Sequence, residues 1–314
     1  MRVRCAVVGV GHLGRIHAQK YQAVPEAELV GVCDIASGTA QRIAAELGVP
    51  AFAAARDLLG KVDAVTIAAS TAAHFDLCKL FLENGVHVLV EKPITTRSEE
   101  AAAICEMADQ AGLRLQVGHI ERYNPALRAV REKLRKPMFV ECHRLAPVTS
   151  RSTDIDVVLD LMIHDLDVIL SLVQSKPKLV SAVGTPVLTK QLDIANARIE
   201  FESGAVANVT ASRVSLNTQR KFRVFQRDQY LSIDFQSGEV NLLTKTGEWS
   251  EGKMPLERET HTIAKGDALL DETRDFVLSI AGKQPAPAGV SGRDALEALK
   301  LAEAIIADAK ARLP

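Results

Sequence analysis

"CAVVGVGHLGRIHAQ", residues 5–19, runs an apolar stretch into Gly9, Gly11 and Gly14 where a strand signal gives way to a helix signal. A glycine inside regular structure costs about 0.5–1 kcal/mol relative to alanine. Three of them at one junction therefore point to a place where side chains do not fit. In a dinucleotide-binding fold the first such glycine makes a tight turn and the second lets the backbone approach a pyrophosphate. The third packs helix against strand. The helix start, with His12 and Leu13 between the glycines, then offers free N–H groups and a positive dipole end to phosphates. The second strand signal ends at Asp34, twenty residues beyond Gly14, where an acid bonds the ribose 2′-hydroxyl of NAD. Its charge opposes a 2′-phosphate, so NAD is expected in preference to NADP.

Working outward, the pattern repeats. Short Val- and Ile-rich runs at 4–11, 27–34, 63–70, 86–93 and 113–120 alternate with helical periodicity at 12–23, 37–47, 72–84 and 97–111. Apolar strands separated by helices predict an α/β Rossmann domain with a parallel sheet buried on both faces. After residue 120 the texture changes. A helix at 123–135, a strand at 138–146 and the apolar helix "VVLDLMIHDLDVILSLV" precede consecutive strand signals at 178–184, 194–202, 204–213, 219–226, 229–235 and 239–244. Consecutive strands predict an α+β domain with an antiparallel sheet. Helices are expected at 267–282 and 293–312. The expected division is a dinucleotide-binding domain at 1–120, a substrate-binding and oligomerisation domain at 121–290, and a last helix at 291–314 packing back on the first domain.

Composition narrows the partners. Net charge is −1 over 314 residues, so no basic excess suggests nucleic acid. No run approaches the ~18 apolar residues of a membrane span. Five cysteines without close pairs argue against a disulfide framework or structural zinc, no metal is expected, and the cytoplasm is the expected compartment.

Three constellations carry chemistry. Glu91-Lys92-Pro93 closes a strand of the parallel sheet, at the end where ligands bind in such folds. Asp160 and His164 stand four apart in an otherwise apolar helix. That spacing puts both on one α-helical face, and an Asp can set the tautomer of an imidazole for proton transfer. Asp165 and Asp167 are read as solvated or capping residues. "GHIERYNPA", residues 118–126, clusters Arg122, Tyr123 and Asn124 at another strand end, where ligands would meet them, although some of these residues cap the next helix. Arg144 and Arg151 flank a Ser/Thr-rich loop and are candidate phosphate ligands; the competing reading pairs them with Asp154 and Asp156. The alternations "AVANVTA" and "YLSIDF" suggest an uncovered apolar sheet face.

The glycine turn, Glu91-Lys92-Pro93 and Asp160-x-x-x-His164 together resemble the glucose–fructose oxidoreductase/inositol dehydrogenase/rhizopine-catabolism (Gfo/Idh/MocA) family over essentially the whole chain. The resemblance implies a second domain with a large open, mainly antiparallel sheet whose outer face builds a homodimer or homotetramer. It implies a cis Lys92–Pro93 bond, Lys92 and His164 flanking a reacting carbinol, and Ser70 and His74 near the cofactor. Ser70-Thr71-Ala72 and Asp156 depart from the common family pattern. "GHIERYNPA" and "HRLAPVTSRSTDID" resemble most the members that act on nucleotide sugars, implying an NAD-dependent oxidation of a UDP-linked N-acetylhexosamine. A polyol, inositol or free-sugar dehydrogenase, or a non-catalytic dinucleotide sensor, are the alternatives.

Overall fold

A computed structural model describes residues 2–148, 155–252, 254–282 and 289–313. The chain opens with β1 (Val3–Val8), α1 (His12–Ala23), β2 (Ala27–Cys33), α2 (Ser37–Leu47), β3 (Ala51–Phe52), β4 (Ala64–Ile67), α3 (His74–Glu83), β5 (His87–Val90), α4 (Ser98–Ala111) and β6 (Leu115–Val117). A 3-10 turn at Ile120–Tyr123 follows. Next come α5 (Pro125–Val130), β7 (Phe139–Leu145), a π-helical turn (Val158–Met162), α6 (Ile163–Val173), β8 (Pro177–Thr185), β9 (Ile194–Phe201), β10 (Val206–Ser212), β11 (Gln219–Gln226), β12 (Gln229–Asp234), β13 (Glu239–Lys245) and β14 (Leu256–Thr262). The chain ends with α7 (Ala268–Ile280), β15 (Val290–Ser291) and α8 (Gly292–Ala311).

The chain divides into two compact units: Met1–Tyr123 with Asp267–Leu299, and Asn124–Gly266 with Lys300–Pro314. This differs from the expected partition. Residues 267–282 belong to the first unit, because α7 lies on α1: Phe276 and Val277 share a core with Val7, Tyr21 and Leu89, and Lys20 pairs with Asp267 at 2.6 Å. The last helix is likewise divided. Leu301, Ala302, Ile305 and Ala309 enter the core of the second unit.

In the first unit the strand order is β15-β6-β5-β4-β1-β2-β3. All pairs are parallel except the short β15–β6 contact. The order reverses at β1, between β4 and β2, and a ligand crevice lies outside the carboxyl ends of strands at such a switch point. The second unit holds an eight-stranded sheet, β14-β13-β12-β11-β7-β10-β9-β8, antiparallel apart from β7 with β10.

One face of that sheet is covered. Val140, Cys142, Ala195, Ala197, Val209 and Val224 face a core built with Met162, Leu166 and Ile169. The alternations expected to face outward turn inward: Ala205, Ala207, Val209 and Ala211, and Leu231, Ile233 and Phe235, are all buried in this core. Period-two alternation identifies one apolar face without saying which side it takes. The opposite side carries polar residues such as Glu141, Asn196 and Asn208. It also carries rings of Phe139, Phe225 and Tyr230, with centroids 5.5 and 4.8 Å apart in sequence.

Candidate active site

The three glycines meet three different constraints. Gly9 has φ +84°, and a Cβ there would lie 2.6 Å from the Ala69 backbone nitrogen. A Cβ on Gly14 would lie 1.8 Å from the Gly9 carbonyl oxygen, so α1 sits directly on the end of β1. Gly11 is the N-cap of α1, with no side chain capping it, and a Cβ there would meet nothing within 4 Å. Backbone N–H groups at a helix start that is open on one side fit a pyrophosphate. His12 and Leu13 are exposed on the first turn. Asp34 follows β2, its Oδ2 accepting from the Val10 amide at 2.9 Å and its Oδ1 from the Ala36 amide at 2.8 Å. The acid is thus held against the glycine turn. These residues fit a dinucleotide.

Beyond β4, Ser70 is exposed, whereas His74 is buried. His74 Nδ1 lies 2.9 Å from the Pro93 carbonyl and Nε2 3.1 Å from that of Ala69. Burial lowers its pKa, against the pull of those carbonyls, so the ring is neutral and donates to one of them at a time. It braces two strand ends instead of presenting its ring to a ligand.

The Lys92–Pro93 peptide is cis. Lys92 is half-buried, while Glu91 turns into the core. Its Oε1 accepts from His17 Nε2 at 2.8 Å and its Oε2 from the Lys92 amide at 3.2 Å. Burial pushes the Glu91 carboxyl up, but the bond and charge of His17, with Lys92, bring it below the ordinary value. A Cβ on Gly118 would lie 2.9 Å from Glu91 Oε1, which explains the glycine opening "GHIERYNPA".

In the second unit, Asp160 lies in the π turn and His164 in the first turn of α6, both half-buried. The two residues therefore stand on either side of a junction between a π-helical turn and an α-helix that starts at Ile163, rather than in one uninterrupted α-helix. Its start is fixed by neighbours. Val157 N donates to the Leu192 carbonyl at 2.9 Å, while Asp156 accepts from Leu192 N at 2.9 Å and Lys310 Nζ at 3.0 Å. Beside it, Asp193 accepts from the amides of Val187, Leu188 and Thr189. Burial pushes that carboxyl up, yet these bonds hold it down to about 2.

Several of the expected substrate ligands are buried or bonded within their own unit. Arg144 is 4% exposed and forks onto Asp165, with Nε–Oδ2 2.9 Å and Nη2–Oδ1 2.8 Å. The carboxylate it forks onto is that of Asp165, and Asp165 and Asp167 are buried rather than solvated. Tyr123 is fully buried in the first unit. Asn124 caps α5, accepting from the Ala126 amide at 3.0 Å. Arg122 is half-buried. Arg151 and Asp154 lie outside the described residues. Sequence reading missed His17, although its place with Gly14, Ala18 and Tyr21 on the buried stripe of α1 marks a histidine where an apolar residue is expected.

A switch-point sheet, a glycine turn that excludes side chains and an acid tied to it define an NAD-binding oxidoreductase. The oxidoreductase family with an NAD-binding Rossmann fold, Gfo/Idh/MocA, matches residues 3–119, and its C-terminal domain matches 140–232. The chain is 42% identical over 300 residues to the UDP-N-acetylglucosamine 3-dehydrogenase of Acidithiobacillus ferrooxidans, with 95% of each covered. A solved structure of that enzyme superposes with a TM-score of 0.93 at 39% identity, covering 99% of this chain and 98% of that one. The scyllo-inositol 2-dehydrogenase (NAD(+)) of Bacillus subtilis is 34% identical over 233 residues, 68% of each chain. The chain belongs to the Gfo/Idh/MocA family of oxidoreductases.

Proposed function

We propose that this protein is a nucleotide-sugar dehydrogenase that oxidises a secondary ring hydroxyl of a UDP-linked N-acetylhexosamine to a ketone. The observation that carries this reading is the similarity to a UDP-N-acetylglucosamine 3-dehydrogenase along nearly all of both chains. When bound, NAD supplies the hydride acceptor. The glycine turn holds its pyrophosphate and Asp34 its adenosine ribose. His164 removes the hydroxyl proton, and Asp160 orients the imidazole. Lys92 donates a hydrogen bond to the same oxygen, stabilising negative charge as it develops. Arg122 remains a candidate substrate ligand, and Arg144 does not.

Purified protein given UDP-N-acetylglucosamine, N-acetylglucosamine and the inositols side by side, each with NAD and with NADP, tests this. NADH should form fastest with the UDP-sugar, with NAD above NADP, and Asp34→Ala should narrow that cofactor preference. Equal rates with a nucleotide-free substrate would transfer the assignment to an inositol or free-sugar dehydrogenase. No turnover of any, with NADH still bound, would favour a sensor.

The protein also assembles, on this reading, as a homodimer or homotetramer through the outer face of the eight-stranded sheet. The support is the ring cluster of Phe139, Phe225 and Tyr230 on that face, with Trp249 exposed between β13 and β14 and Leu256 exposed at the start of β14. Light scattering at micromolar concentration should give a multiple of the 33.9 kDa chain mass. A monomer mass would refute the assembly.

A further inference from the structure

The face of the parallel sheet covered by α1 and α7 is not uniformly apolar. Strand register sets Thr66 of β4, Leu89 of β5 and Gln116 of β6 side by side. Glu91 and Gly118 come next toward the strand ends. Thr66 Oγ1 lies 2.7 Å from the Tyr21 hydroxyl of α1. One turn nearer the start of α1, His17 meets Glu91. From α7, Glu272 enters the same layer with no exposed surface, and neither of its carboxyl oxygens has a hydrogen-bond partner among the described residues. His17 Nδ1 and both amide atoms of Gln116 are likewise buried without one. Buried polar atoms in a well-formed core are ordinarily paired, through water where no side chain reaches. A carboxyl group has no reason of packing to be there.

We propose that His17, Glu91 and Glu272 form a buried positioning unit that ties the cofactor-binding helix α1 to the Glu91-Lys92-Pro93 turn, with Glu272 acting as a neutral acid behind the pair. Three elements meet in this buried layer. His17 is on the helix whose first turn carries the glycine motif, Glu91 precedes Lys92 directly, and Glu272 comes from the segment that returns to this unit after the second. Glu91 holds the charge, because His17 and the Lys92 amide bond it. Two ionised carboxylates in one dry layer would repel strongly, so the second keeps its proton. Burial, with the Glu91 charge adding, holds Glu272 well above the usual carboxylate range. Besides His17, the elements packed on α7 carry His12, Arg15, Lys20 and Tyr21 on α1, and Glu121, Arg122 and Tyr123 on the 3-10 turn; of the α1 groups Tyr21 is buried in this layer, while Lys20 pairs with Asp267 and Arg15 with Glu46. Asp271 and Asp275 flank Glu272 on α7 itself and are half-exposed. The link gives the phosphate-binding turn and the Lys92 turn a common support, and it rests on the reading of Lys92 as a residue acting on substrate.

Glu272→Gln, Glu272→Leu and His17→Leu test the proposal by two independent readouts. Glutamine has the shape of the neutral acid and no proton to lose. The unfolded chain releases the Glu272 proton above about pH 4.3 while the native state keeps it, so the wild type loses stability as pH rises toward the raised native pKa. Without cofactor or substrate, the Glu272→Gln protein should therefore melt higher than the wild type, the gap widening by about 2 °C per pH unit as pH rises above about 5. Its turnover should stay within about twofold of wild type. His17→Leu should lower kcat about tenfold or more while the sugar KM changes little, the signature of lost positioning rather than lost substrate binding. Glu272→Leu should fall between them. A melting gap that does not grow with pH would overturn the neutral acid. A Glu272→Gln kcat as low as that of Glu272→Leu, or unchanged kcat in His17→Leu, would overturn the positioning role. If Lys92→Ala kept full activity the reading of Lys92 would fail, and the cofactor-free melting arm would still decide the state of Glu272.

Discussion

Replacing Lys92 or His164 by alanine should lower turnover of the UDP-sugar by about 10²–10⁴-fold each, the usual contribution of a group that moves or holds a proton in the transition state. The oxidation leaves a proton on the hydroxyl oxygen that must depart as the carbon–hydrogen bond breaks, and charge gathers on that oxygen meanwhile. An imidazole is suited to take the proton near neutral pH. An ammonium group directed at the oxygen lowers the energy of the charged transition state more than that of the neutral substrate. Lys92 is half-buried after β5, beside a carboxylate whose bonds go to His17 and to the Lys92 amide. Neither Lys92 nor His164 lies in the glycine turn, so NADH affinity measured by fluorescence titration should stay within a few-fold of wild type. On the proposed mechanism the double variant should be little slower than the worse single one, because groups acting on one oxygen in one step do not contribute additively. Near-normal kcat in either single variant, with NADH still bound, would remove that residue from the mechanism.

The elements that determine the class were legible because they are set locally. β1, β2, β4, β5 and β6 fall within the expected runs apart from a residue at one end of β1, and α1 and α2 match their expected limits. Short Val-rich strands, Gly48 in the left-handed conformation closing α2, and the glycine turn each announce themselves within a dozen residues. What stayed hidden depended on partners distant in sequence. β14, "LERETHT", is an edge strand exposed along nearly its whole length, so no apolar alternation marks it. β3 has two residues, too few to carry a period. The π turn at Val158–Met162 lies inside a continuous apolar pattern that reads as α-helix. Arg144 looked like a phosphate ligand because its loop is polar, yet its side chain belongs to the inward row of β7 with Val140 and Cys142, and there it finds Asp165. Periodicity says which residues share a face; it does not say which distant charge is waiting on it. For the same reason Glu272 escaped notice, since its meaning depends on α7 returning to a sheet whose parallel strands end some 150 residues earlier.

Gly11→Ala and Gly14→Ala should fail in different ways, although both remove a glycine from one motif. At Gly14 the new methyl would sit 1.8 Å from the Gly9 carbonyl oxygen and 2.9 Å from its carbon. Both are backbone atoms of a residue itself pressed against Ala68 and Ala69, so nothing nearby can rotate away. The first turn of α1 must lift off β1. Overpacking of this kind costs about 1–3 kcal/mol and often more where backbone must shift, so the cofactor-free protein should melt several degrees lower, about 2–4 °C for each kcal/mol. NAD binding should be lost with it, because the amides that face the pyrophosphate move. At Gly11 the backbone has φ −64° in an extended conformation open to any residue, and the methyl meets no atom within 4 Å. The cofactor-free protein should keep its melting temperature or gain slightly, since alanine restricts the unfolded chain more than glycine does. The methyl would instead stand where the pyrophosphate approaches the backbone. NADH affinity should fall about tenfold or more, equivalent to about 1.4 kcal/mol. Melting curves without cofactor, set beside NADH titrations of the same two proteins, separate the glycine that builds the fold from the glycine that admits the ligand. Unchanged NADH affinity in Gly11→Ala would show that the pyrophosphate does not lie over the start of α1.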